Sequence, residues 1–70
     1  MTSDFAAGNP SPDLSEASRQ LELAAHDAQV AYDCIALGDI DRAQSHAITA
    51  RAAADAAETV LRVALGQPRA

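Results

Sequence analysis

The sequence predicts an all-α chain folded as an antiparallel two-helix hairpin. Three observations carry that prediction. Alanine supplies over half of the 49% hydrophobic content, and alanine has the highest helix propensity of any residue. Two long stretches of nearly equal length, 12–37 and 40–65, contain no glycine and no proline beyond Pro12. Between them stands one turn signal, Gly38-Asp39.

Residues 1–10 read as a disordered tail, since Gly8, Asn9, Pro10 and small polar residues offer nothing to bury. Phe5 is the one large side chain there besides Met1. The hairpin is expected over 11–66. Ser11 can cap the first helix, with Pro12 at the first helical position and Asp13 and Glu16 facing the positive end of the helix dipole. A helix from there to Leu37 would be about 39 Å long at 1.5 Å per residue. Gly38 suits the left-handed position that closes a helix, and Asp39 suits the cap that opens the next. The second helix should end at Gly66, with Pro68 preventing continuation and 67–70 left as a short tail. Glu58 and Arg62 are placed as an i,i+4 ion pair.

Apolar residues recur every seven positions. In the first helix Leu14, Leu21, Ala28 and Ile35 form one row, and Ala17, Ala24 and Ala31 fall three later, with Ala25 and Tyr32 beside them. In the second, Ile40, Ala47, Ala54 and Leu61 form a row, followed by Ala43, Ala50, Ala57 and Ala64, with His46, Ala53 and Val60 alongside. These rows predict the seam between the arms. So much alanine would let the axes approach near the short end of the usual helix spacing.

A further row, Leu23, Val30 and Leu37, lies about 160° from the Leu14–Leu21 row on an ideal helix. Cys34 lies beside it, Tyr32 is a candidate anchor, and Ile48 and Val63 are the weaker counterparts on the second helix. One partner helix cannot cover both faces. Seventy residues also make a marginal core, because a chain of that size buries only about 60% of its unfolded surface. Cys34 is the only cysteine, so no intrachain disulfide can compensate. Dimerisation into a four-helix bundle is therefore expected, with Leu23, Val30, Tyr32, Cys34, Leu37, Ile48 and Val63 at the partner or oligomer interface.

Composition excludes several function classes. The net charge is -5 with no lysine, which argues against nucleic acid and anionic membrane, both of which need a cationic face. No stretch approaches the ~20 apolar residues of a membrane span. The acidic N-terminus does not resemble a targeting peptide, and an unpaired cysteine suits a reducing compartment, so a cytoplasmic location is expected. His26 lies with Arg19 and Asp33 on a polar side, and His46 borders the seam, where a packed, hydrogen-bonded spacer or a protonation-sensitive contact is expected rather than a catalyst. Cys34 stands near a helix C-terminus and next to Asp33, the wrong environment for a thiolate. Catalytic, cofactor-binding and metal-binding residues are accordingly expected to be absent. A protein partner and self-association are the expected interactions.

The run Val30-Ala31-x-x-Cys34-x-x-x-Gly38-Asp39-x-x-x-Ala43-x-x-x-Ala47-x-x-Ala50 resembles a single tetratricopeptide-type helix-turn-helix. In that family small residues matching Ala31, Ala43 and Ala50 let paired helices touch. The resemblance spans about a third of the chain. Cys34 stands where an aromatic is usual, and the closing proline is missing. It implies protein or peptide binding. The double-faced first helix, in a chain too small for two cores, leads to the reading of a small non-enzymatic interaction module, an adaptor or inhibitor, acting through a helical face. The alternative is a dimeric helical regulator of transcription or of nucleic acid. That reading needs a basic surface, and Arg19, Arg42, Arg51 and Arg62 are widely spread.

Overall fold

A computed structural model describes residues 13–67. Two helices account for nearly all of them: α1, Leu14–Ala36, and α2, Ile40–Ala64. They pack against each other along their length as an antiparallel hairpin. The expected N-terminal tail, Phe5, Ser11 and Pro12 lie outside the described residues, as does all of the C-terminal tail except Gln67.

Helix α1 starts later than expected. Its N-cap is Asp13, whose carboxylate accepts hydrogen bonds from the Ser15 and Glu16 backbone amides at 3.1 Å and from the Ser15 hydroxyl at 2.9 Å. These bonds hold the Asp13 carboxyl below the usual carboxylate range, the Ser15 hydroxyl contributing most. Hydrogen bonds from Gln20 and then Arg19 do the same for Glu16.

The turn follows the expected chemistry with one residue shifted. Leu37 caps α1 and is not its last helical residue. Gly38 adopts φ 78°, where a β-carbon would be strained. The Asp39 amide then donates to Cys34 O at 2.8 Å and the Gly38 amide to Ile35 O at 3.0 Å, a Schellman closure. Asp39 at once caps α2, accepting from the Arg42 amide at 3.2 Å. One residue therefore ends one helix and begins the other, and three residues reverse the chain. The end of α2 repeats the device. Gly66 has φ 71°, Leu65 is the cap, and the Gln67 amide donates to Arg62 O.

The core is small in both senses. Its buried members are Ala17, Ala31, Cys34, Ala43, Ala53, Ala57 and Asp27. The alanine rows Ala17-Ala24-Ala31 and Ala43-Ala50-Ala57 form one side of the seam, as expected, with Ala24 and Ala50 half-buried. The second side differs. It is made by Gln20, Asp27 and Cys34 on α1 and by His46, Ala53 and Val60 on α2. The rows expected in the seam from their seven-residue recurrence, Leu14, Leu21, Ala28, Ile35 and Ile40, Ala47, Ala54, Leu61, are all exposed. The seam is rotated past the alanine rows, away from the larger side chains. Small residues on both arms permit close contact, and the larger ones stand at its flank.

Candidate functional site

Two antiparallel helices present their residues around the seam in opposite senses, so one cross-seam contact fixes which rows share a face. That contact is Asp27–His46. Asp27 Oδ1 lies 2.8 Å from His46 Nδ1. Asp27 follows Ala24 by three residues and His46 follows Ala43 by three, so rows three residues after the alanines lie on one side of the hairpin. Rows three residues before them lie on the other, about 60° back around each helix. The eight residues that failed to enter the seam therefore share one face. With the two alanine rows they make fifteen positions, from Leu14 to Ile35 and Ile40 to Ala64, all apolar.

The opposite face carries the polar layer. Asp27 is 7% exposed, and its only hydrogen-bonded partner among the described residues is His46, whose side chain is about one-third exposed. An ionised carboxylate only accepts, so the imidazole Nδ1–H donates. The same contact sets the register, under which Ala31 is level with Ala43, Ala24 with Ala50 and Ala17 with Ala57. A polar pair at one level of an alanine seam disfavours slipped pairings, which would bury Asp27 against apolar groups. Size-based reading of the sequence missed Asp27. The available signal was electrostatic: an acid on α1 and a histidine on α2, each three residues after an alanine of its seam row.

The expected interface residues do not form one patch. Leu23 and Val30 flank the polar layer on α1, and Val63 occupies the matching flank of α2. Leu37 is exposed at the turn. Tyr32, 71% exposed, lies on the opposite flank, beside the all-apolar face. Ile48 is about 200° around α2 from His46, on the back of the hairpin. Cys34 is a correction: it is buried in the seam, 3% exposed, because the rotated seam runs through its row. It cannot serve an outer interface.

A concavity of about 400 Å³ is lined by Arg19, Glu22, Leu23 and His26. These share one face of one helix, so it is a gap between side chains on a convex surface, open to water. Among the described residues no group of three acidic, histidine or cysteine side chains could hold a metal ion. Three arginines are paired with acids on their own helix or its cap: Arg19 with Glu16, Arg42 with Asp39 and Arg62 with Glu58. No helix among the described residues is long and apolar enough to cross a membrane. Comparison with known protein families, curated proteins and solved structures finds no match.

Proposed function

We propose that this chain is a non-enzymatic protein-interaction module, an adaptor or inhibitor, whose working form is a helical bundle larger than one hairpin. Homodimerisation into four helices is the simplest such form. One observation carries the reading: large apolar side chains lie outside while the core is alanine. Leu14, Leu21, Leu23, Ile35, Ile40, Ile48, Leu61 and Val63 are all exposed, and among the described residues no large side chain is fully buried. Such a hairpin gains little from its own seam, because alanine offers little apolar area, and area removed from water is the main stabilising term. Its remaining apolar surface is of the kind used for protein contacts. The resemblance of the turn region to a tetratricopeptide hairpin points the same way. Pairing of three helix arginines with neighbouring acids disfavours the nucleic-acid reading.

The test is helicity and mass measured together over a wide dilution range, by circular dichroism and sedimentation equilibrium. Helicity that falls as mass falls supports the proposal, because folding is then linked to association. A monomer that stays fully helical and unfolds cooperatively on its own overturns it.

A further inference from the structure

We infer that the all-apolar face built from Leu14, Leu21, Ile35, Ile40 and Leu61 around the alanine rows is closed by the same face of a second copy. This deepens the interaction-module reading and rests on it. The face is not the Leu23–Val30 row that the sequence suggests, which shares its side with Asp27 and His46 and is interrupted by Glu16 and Thr49.

Three features choose a second copy as occupant. The first is charge. None of the fifteen face positions is charged, so two copies can meet without bringing any of their net charge of -5 into contact. A cationic partner would find no carboxylate there. A lipid surface would require basic flanks, whereas the α2 rim carries Arg51 between Gln44 and Glu58. The second is size. Twenty-three helical residues run about 35 Å, and two helices side by side present about 20 Å, giving a face of roughly 700 Å². A standard stable interface uses about 800 Å² per partner, so one copy suffices to cover it. The third is placement. The larger side chains stand at both ends, Leu14, Leu21 and Leu61 at one and Ile35 and Ile40 at the other. Ala28, Ala47 and Ala54 lie between them. A two-fold contact is isologous, so antiparallel stacking sets the leucine end of each copy against the isoleucine end of the other, and every large side chain of the face meets another.

The experiment compares two double variants with the intact chain by sedimentation equilibrium. The wild type is expected at twice the 7.2 kDa chain mass. Leu21→Glu with Leu61→Glu should raise the dimer dissociation constant by roughly a hundredfold or more, as an unpaired carboxylate at a dry contact requires. Leu23→Glu with Val63→Glu should leave it within about threefold, as for a surface change. Because charge on the first face can also unfold a lone hairpin, a second measurement avoids it. In a Cys34→Ala background, Ala47→Cys and Ala56→Cys are labelled with a thiol reagent. Position 47 should react at least about tenfold more slowly than 56, with dilution removing the difference. A dimer broken by the Leu23/Val63 pair, with position 56 protected, overturns this face. A wild type that is monomeric and weakly helical at every concentration overturns the second copy while leaving a different protein to cover the hairpin. A fully helical, stable monomer overturns both this inference and the reading beneath it.

Discussion

The Asp27–His46 contact yields the most informative single perturbation. The two side chains meet at 2.8 Å across the seam, where Asp27 is 7% exposed. A hydrogen bond to a charged group is worth about 1.5–3 kcal/mol. The His46 side chain is 32% exposed, so water competes for it, and the low end of that range applies. His46→Ala should therefore destabilise by about 1.5 kcal/mol, chiefly by leaving the Asp27 carboxylate buried without a partner. Asp27→Ala removes the buried charge as well as the bond, so it should cost less. The double variant should cost less than the two single ones added together, leaving a coupling of about 1 kcal/mol. Urea unfolding at one fixed chain concentration measures all four corners, since any association would make stability concentration-dependent. A coupling near zero would mean that the pair contributes nothing net. The claim that it fixes the seam register would then fail. A coupled apolar replacement, Asp27→Leu with His46→Leu, separates stability from specificity. It should preserve or raise the unfolding midpoint while allowing slipped pairings, read as broadened amide resonances.

Other consequences follow from the packing and the caps. Ala57 is 0% exposed, so Ala57→Leu should overpack the seam and cost about 1–3 kcal/mol, measured by the same unfolding assay. Gly38→Ala meets open space but must hold φ 78°, so it should cost about 1 kcal/mol from backbone strain alone. The carboxyls of Asp13 and Glu16 are held below 3.8 and 4.5 in the folded chain. They therefore stabilise it above those values and lose that contribution as pH falls through their lowered folded-state values. Helicity followed from pH 5 downward should show a smaller pH-dependent loss for Asp13→Asn with Glu16→Gln than for the wild type, the two converging once both carboxyls are protonated.

Much of the architecture was legible because it rests on backbone chemistry. Gly38 and Gly66 close helices wherever a left-handed residue is needed, and Asp39 caps the next helix regardless of tertiary context. The alanine rows were legible for the same reason as any heptad pattern. The second row of the seam was not. Hydrophobicity ranks Leu21 and Ile35 above Gln20 and Cys34, so a size-weighted reading turns the larger residues inward. Contact between two helices responds to how closely their backbones can approach, and the smaller rows permit that approach. Position 27 exposes the difference most clearly. An acid scores as surface on any hydropathy scale, and only the histidine at the matching level makes its burial tolerable. Periodicity along a sequence describes one helix at a time. That finds rows but cannot say which row of α1 shares a side with which row of α2, so Tyr32, Ile48 and Leu23 were grouped although they point three ways.

The rotation of the seam also bears on how folding and assembly are related in this chain. Had the leucines and isoleucines turned inward, the hairpin would hold most of its apolar area within one chain and could be stable before meeting anything. With alanine inside, the seam supplies proximity and register, and the area that could stabilise the fold lies on the surface. Those are separable tasks. Asp27, His46 and the Gly38–Asp39 turn specify one pairing of the arms, and the outer rows reward whatever covers them. A conservative change in the seam should then alter which structure forms, and a change on the outer face should alter whether it persists. The two classes of variant are distinguishable by their dependence on concentration. If a second copy covers the outer face as proposed, concentration restores the helicity of variants on that face, whereas seam and turn variants should keep the broadened amide resonances of slipped pairing even when fully associated.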